Sequence, residues 1–231
     1  MHHLPATQTT DGGMTRRDLP VLLGHWLACC LPLLLVLGLL RLSIGSDAAV
    51  DVFFRAHRAA HPLLHRLFTL ASDWGNLCLY APAAATLILA WRRGNRPRVR
   101  YWLTFAALQF LLCFLVVRIA KISLGVPRPD ASNRLPEPWT FDASHHARPS
   151  GHTAEIFGQA TALTLDRPAR WKTLLLACFG TAVAFSRIYL SWHSPSDVFF
   201  GLLVGATVGI FCPVLMDVDW KGLVRAARNT R

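Results

Sequence analysis

Long apolar stretches recur along the chain at 20–42, 73–91, 101–120, 150–166, 171–192 and 197–216, with short polar segments between them. The first, from Pro20 to Leu42, is long enough to span a hydrocarbon core of ~30 Å. It exceeds the ~7–15 apolar residues of a secretory signal, so it reads as a retained span. The fourth is only about 17 residues, ~25 Å at helical rise. Its start is therefore expected slightly below the membrane surface, in a protein-lined recess. Residues 48–71 follow another pattern. Val50, Val52, Phe53, Phe54, Leu63, Leu64, Leu67 and Phe68 alternate with Arg55, His57, Arg58, His61, His65 and Arg66. Such a mixture suits an amphipathic segment lying at the membrane surface. The pattern as a whole predicts an all-α protein, a bundle of six transmembrane helices with one interfacial amphipathic segment.

Composition agrees with this reading. Hydrophobic residues make up 53% of the chain and charged residues 16%, against about 25% charged in soluble domains. The net charge of +11 would fit a nucleic-acid surface, but its distribution fits membrane topology better. Five arginines, Arg92, Arg93, Arg96, Arg98 and Arg100, crowd the loop between the second and third spans. Arg16 and Arg17 precede the first span, Arg167, Arg170 and Lys172 lie between the fourth and fifth, and Lys221, Arg225, Arg228 and Arg231 follow the sixth. Together they are fourteen of the chain's twenty-four basic residues. With six spans all of them share one side, which the positive-inside rule makes cytoplasmic. No nucleic-acid partner is expected.

The expected organisation is a disordered polar tail at 1–15, a six-span domain at 16–220 and a basic cytoplasmic tail at 221–231. Met14, followed by Arg16 and Arg17, offers a second translation start. The cysteines Cys29, Cys30, Cys78, Cys113, Cys178 and Cys212 all fall in apolar runs without metal-ligand spacing. They read as buried packing residues, with no disulfide framework. No internal repeat is evident.

Three polar clusters fall at helix junctions on the side opposite the basic loops. In the first, Lys121 ends the third span and Arg128 follows seven residues later. Gly125, Pro127 and Pro129 stop the helix, so the chain can fold the arginine back toward the lysine. A guanidinium fork and a compact ammonium both suit phosphate oxygens. Snorkelling of basic side chains at the interface is the alternative. In the second, Pro149, Ser150, Gly151 and His152 open the fourth span. Ser150 can cap that helix, Gly151 permits close backbone approach, and the exposed N–H groups favour an anion. His152 would then stand beside it, able to transfer a proton near neutral pH. An ordinary Ser-Gly helix start is the alternative.

The third cluster runs from Ser186 and Arg187 through His193 to Asp197. Arg187 lies inside an apolar stretch, where an unpaired charge is costly and usually functional. Ser194, Pro195 and Asp197 carry the marks of a capped helix start, which lets Asp197 reach back to His193. A carboxylate on one ring nitrogen makes the other a better nucleophile. Polar residues at an interface are the alternative. His145 and His146, in the segment 130–148, read as polar loop residues. That segment reads as a loop over the site able to influence substrate choice. Arg118, one turn before Lys121, either faces the site or snorkels.

Lys121 to Pro129 fits K-x6-R-P, residues 149–152 fit P-S-G-H, and residues 186–197 fit S-R-x5-H-x3-D. The three, in order and without substitution, resemble the signature of the type 2 phosphatidic acid phosphatase superfamily. The resemblance implies a membrane lipid phosphatase. It implies that His193 attacks phosphorus, that Asp197 positions it and that His152 protonates the leaving oxygen. Lys121, Arg128, Ser150, Gly151 and Arg187 would hold the phosphate. It implies no metal and no cofactor, since cations do the work often given to metal ions. Implied substrates are phosphatidylglycerol phosphate, undecaprenyl diphosphate, phosphatidic acid or the phosphates of lipid A. The implied setting is a bacterial inner membrane with the site on the periplasmic face. A lipid-to-lipid phosphotransferase and a non-enzymatic scaffold or transporter are the competing functions. Haloperoxidase chemistry fits poorly, because the haloperoxidases of that superfamily are soluble.

Overall fold

The computed structural model describes residues 19–131 and 134–216. The expected tails, Met14, Arg16 and Arg17, Asn133, and the basic residues Lys221, Arg225, Arg228 and Arg231 lie outside them. Among the described residues every regular element is helical. The α-helices are α1 (Leu19–Ser43), α2 (Asp47–Ala60), α3 (Pro62–Arg92), α4 (Arg96–Leu108), α5 (Val117–Leu124), α6 (Gly151–Asp166), α7 (Arg170–Tyr189) and α8 (Pro195–Met216). A π-helical stretch, Gln109–Val116, joins α4 to α5 in one rod, Arg96–Leu124.

Five rods are long and apolar enough to cross a membrane: α1, α3, the α4–α5 rod, α7 and α8. α6 has 16 residues, ~24 Å at helical rise, and it is the hub. It packs against α8, α7, α1 and α3. Ile156, Phe157, Ala160 and Ala162 on it are fully buried. The expected six-span bundle is therefore present, with its shortest member shielded by the others.

The amphipathic stretch expected at 48–71 is divided between two helices. Pro62 has no N–H and disfavours a helical conformation in the residue before it. His61 accordingly leaves the helix (φ −130°, ψ 70°), and residues from Pro62 onward start the 31-residue α3. Only α2 lies as a separate amphipathic helix. Ser46 caps it, its Oγ accepting from Ala49 N at 3.2 Å, and Val50 and Phe54 are buried beneath it. The expectation of six buried cysteines also needs correction. Cys29, Cys30, Cys113 and Cys212 are buried, whereas Cys78 and Cys178 are exposed on the bundle. An apolar run shows that a residue avoids water, but lipid-facing and protein-facing positions look alike in it.

α6 and α8 approach closely because α8 presents Gly201, Gly205 and Gly209 at four-residue spacing. A Cβ at Gly201 would lie 2.5 Å from Ser150 O, and Cβ atoms at Gly205 and Gly209 would overlap Ala154 O and Thr161 Oγ1. Small residues at this spacing let membrane helices touch backbone to backbone. Arg98 reaches the far end of α6, Nε donating to Asp166 Oδ1 at 3.0 Å. Arg100 donates to Met216 O at the end of α8 at 2.8 Å. The arginine-rich loop and the C-termini of α6 and α8 thus share one end of the bundle. Lys121 and the N-termini of α6 and α8 share the other.

Candidate active site

Gly125 ends α5 in the left-handed region (φ 54°), and a Cβ there would overlap the Glu137 carbonyl. The chain reverses at this point, and Arg128 N then donates to Ser144 O at 2.8 Å while Ala147 N donates to Val126 O at 3.0 Å. These bonds draw Lys121 and Arg128 to the start of α6. Lys121 Nζ donates to His146 O at 2.9 Å, and Arg128 Nε to Ala143 O at 3.1 Å. The folding-back expected from the glycine and prolines is present.

His145 and His146 are 4% and 2% exposed. They are polar loop residues that support the loop from inside. His146 Nε2 lies 2.9 Å from Thr140 O, and His145 Nδ1 lies 3.5 Å from Asp142. Arg118 is exposed.

Ser150 is the first residue before α6 and is fully buried. Contrary to the expectation from sequence, its side chain does not cap the helix backbone. Its Oγ accepts instead from Thr153 Oγ1 at 3.0 Å, in a turn against which α8 packs through Gly201. A Cβ at Gly151 would meet only Val117 Cγ1 at 3.8 Å. No protein atom therefore demands glycine there. What glycine keeps clear is the space beside His152, where the first N–H groups of α6 need an acceptor.

On α7, Arg187 is 7% exposed, and its Nη1 donates to Ser72 Oγ on α3. Its carbonyl accepts from both Trp192 N and His193 N at 3.1 Å. The turn that follows carries Ser191 at φ 57°. The guanidinium carbons of Arg128 and Arg187 each lie 5.2 Å from the centre of the Trp192 ring, so one aromatic side chain steadies two cations.

Ser194 and Asp197 form a reciprocal cap at the start of α8. Asp197 N donates to Ser194 Oγ at 3.2 Å, and Ser194 N to Asp197 Oδ2 at 2.9 Å. Asp197 Oδ2 lies 4.0 Å from His193 Nδ1, which has no hydrogen-bond partner. The other carboxylate oxygen accepts from Arg148 Nε at 2.9 Å.

His193 is 3% exposed. Burial holds its pKa well below the usual 6.5, and the positive charges of Lys121, Arg187 and Arg128 push it the same way. The imidazole is therefore neutral with a free lone pair. The three cations expected from sequence are close enough to act on one histidine, and His152 acts on it too. A cavity of about 280 Å³ reaches this region from the α2 side, lined by Asp51, Arg128, Arg148, Ser194 and Asp197. Such an arrangement can bind a phosphoryl group and offer it a nucleophile.

Sequence reasoning overlooks Arg148, Trp192 and Ser72. Arg148 precedes the Pro149–His152 turn, and Trp192 precedes His193. Adjacency is their only signal. Arg55 and Arg58 on α2 likewise show in the sequence only as part of a polar face. Arg55 Nη2 donates to Pro129 O at 2.9 Å and Arg58 Nη1 to Ser191 Oγ at 2.9 Å, which fastens α2 to two of the site's loops.

The family model described as "PAP2 superfamily" matches residues 102–221. An "Undecaprenyl-diphosphatase" of Sulfolobus acidocaldarius is 26% identical over 148 residues, covering 63% of this chain and 67% of the relative. "Undecaprenyl-diphosphatase BcrC" of Bacillus subtilis is 28% identical over 161 residues, covering 68% and 80%. No solved structure matches.

Proposed function

The chain belongs to the PAP2 superfamily, and on that premise we propose that it is an integral membrane phosphatase of lipid diphosphates or monophosphates, working through a phosphohistidine on His193 without a metal ion. The observation that carries this reading is the gathering of Arg128 and Arg187 over the ring of Trp192, next in the chain to a buried His193 whose Nδ1 lies 4.0 Å from Asp197, with Lys121 near enough to lower the pKa of that histidine. The similarity to two undecaprenyl-diphosphatases makes a polyprenyl diphosphate the first substrate to test. Phosphatidylglycerol phosphate, phosphatidic acid and lipid A phosphates follow.

In the proposed reaction the three cations and the N–H groups at the start of α6 hold the non-bridging phosphate oxygens. Their charge balances that of a five-coordinate phosphorus. His193 Nε2, the ring nitrogen remote from Asp197, attacks phosphorus and forms a P–N bond. The P–O bond to the lipid oxygen, or to the lipid phosphate of a diphosphate, breaks, and His152 supplies the proton that the leaving oxygen takes. Water then attacks the phosphohistidine, His152 removes the water's proton, and the P–N bond breaks to release phosphate. Asp197 stabilises the positive charge that His193 acquires. The charge asymmetry of the loops supports a periplasmic position for the site.

The test is a panel of these lipids assayed with purified protein in excess EDTA. Phosphate release from at least one lipid, loss of it in His193→Ala with melting temperature retained, and inhibition by vanadate are expected. Acid-labile labelling of His193 from a ³²P-substrate, trapped in His152→Ala, would identify the intermediate. Activity in His193→Ala within tenfold of wild type, or a strict requirement for added Mg²⁺, would refute the mechanism. Transfer of label to a second lipid instead of water would identify a phosphotransferase.

A further inference from the structure

A second cavity, of about 520 Å³, opens between α3, α4 and α6, with none of the proposed phosphate-binding groups in its walls. Its walls include Ala83, Leu87, Trp102, Phe105 and Phe110. Phe110 is 62% exposed, so the mouth faces the bilayer around the bundle. The inner end is polar, formed by Tyr80, Gln109 and Glu155. Glu155 follows His152 by three residues, which places it one turn deeper, ~4.5 Å, on the same face of α6.

These polar groups are incompletely paired. Asn76 Nδ2 donates to Glu155 Oε2 at 2.9 Å. Among the described residues that is the only hydrogen bond to this carboxyl. Gln109 Nε2 donates to Glu155 O at 3.1 Å and to Tyr80 OH at 3.4 Å. Asn76 Oδ1 and Gln109 Oε1 have no partner, while Gln159, fully buried behind the cavity, is turned toward the Tyr80 hydroxyl. Polar side chains left unpaired at membrane depth are costly and are retained where they serve a function. The phosphoryl transfer proposed above uses none of them. The amide oxygens of Asn76 and Gln109 and the second carboxyl oxygen of Glu155 stand as unpaired acceptors, which suits a ligand that donates.

We infer that this cavity binds a long-chain lipid alcohol, its hydroxyl donating to Glu155 and accepting from Tyr80 OH, its chain lying on the aromatic wall. An anionic headgroup would meet a carboxyl and surplus acceptors, and an ammonium would bury its charge at a depth where that is expensive. Water alone would satisfy the polar end and leave the apolar walls unfilled. A hydroxyl on a hydrocarbon chain matches both ends. Removal of phosphate from a lipid monophosphate yields an alcohol of this class. If the proposed function holds for a lipid monophosphate, the cavity receives the alcohol one turn beneath the place where it forms; a diphosphate substrate would leave a monophosphate, whose charge this cavity does not suit.

Binding is measured without turnover. Tritiated farnesol is equilibrated with the detergent-solubilised full chain, and competitors are added. Saturable binding near one farnesol per protein is expected, displaced by unlabelled farnesol or dodecan-1-ol, not by dodecane and not by vanadate. Ala106→Trp and Ala84→Trp, which fill the cavity from membrane-exposed positions, are expected to weaken binding at least tenfold. Glu155→Leu is expected to remove the preference for the alcohol over dodecane, with melting curves confirming that each variant is folded. Displacement by vanadate would assign the bound alcohol to the phosphate site, and equal displacement by dodecane would reduce the cavity to an unselective apolar groove. Either result, or unchanged binding in both folded tryptophan variants, overturns the inference. None of these outcomes depends on phosphatase activity, so failure here is separate from failure of the proposed function.

Discussion

Arg148 Nε donates to Asp197 Oδ1 at 2.9 Å, joining the loop before α6 to the first turn of α8. The Asp197 side chain is 2% exposed and that of Arg148 is 30%. The pair ties the start of α6, with Ser150 and His152, to the start of α8, beside His193. A second bond, from Ser150 N to Asp197 O at 2.9 Å, makes the same connection through the backbone.

Arg148→Ala is expected to leave the Asp197 carboxylate buried without its cation. Breaking a buried ion pair in this way costs ~3–5 kcal/mol, and the partial exposure of Arg148 places this case at the low end. Because Arg148 acts through Asp197, kcat is expected to fall ~10- to ~100-fold, with KM changing less than threefold. Arg148→Lys is expected to restore part of the melting temperature. Melting curves and steady-state kinetics on the two variants check this.

Gly205→Val is expected to lower the melting temperature and the activity together. A Cβ there would overlap Ala154 O and sit 3.0 Å from Gly158 N, and overpacking of this kind costs ~1–3 kcal/mol. The added bulk also separates α8, which carries Asp197, from α6, which carries His152. At Gly38 on α1, by contrast, a Cβ would meet nothing within 4 Å. Gly38→Ala is expected to be neutral or to stabilise by up to ~1 kcal/mol through helix propensity.

The depressed pKa of His193 links stability to pH. Above the ordinary value of 6.5 the ring is neutral in both folded and unfolded chains, and pH has no effect through it. Below 6.5 the unfolded chain takes up a proton that the folded site refuses, so stability falls as pH falls. The loss is at most ~1.4 kcal/mol for each pH unit until the folded pKa is reached. His193→Asn is therefore expected to flatten the decline in melting temperature between pH 6.5 and 5. An unchanged slope would show that His193 takes up its proton normally.

Orientation is checked with single cysteines at Leu135 and Asn95, in a background lacking the six native cysteines. Leu135 is 84% exposed in the loop beside the site, and Asn95 lies in the arginine-rich loop. An impermeant thiol reagent added to intact cells is expected to label position 135 and spare position 95. The reverse pattern would place the site in the cytoplasm.

Much of the fold was legible in the order of residues. The spans follow from apolar runs, and their ends from local signals such as Gly125 and the Ser194–Asp197 cap, which act within four residues. The same locality made the three clusters readable, including Arg187 as a charge in an apolar run and Lys121 and Arg128 across a glycine-proline turn. Local signals also misled. Ser150 looked like a helix cap, but its hydroxyl pairs with that of Thr153. The segment 48–71 looked continuous, and Pro62 divided it.

The sequence by itself determined the helices, their order and the residue types available for phosphate chemistry, because hydrophobic length and capping depend on neighbours along the chain. Only the tertiary structure decided which side chains meet. Arg148 and Asp197 are 49 residues apart, and Ser72 and Arg187 are 115. Glu155 finds Asn76 at a separation of 79. No periodicity encodes such pairs. Arg148 meets Asp197 where Gly201, Gly205 and Gly209 let α8 sink against α6. The pairs of Ser72 with Arg187 and of Asn76 with Glu155 join α3 to α7 and α6, because a charge or amide enclosed by helix packing must take its partner from another helix.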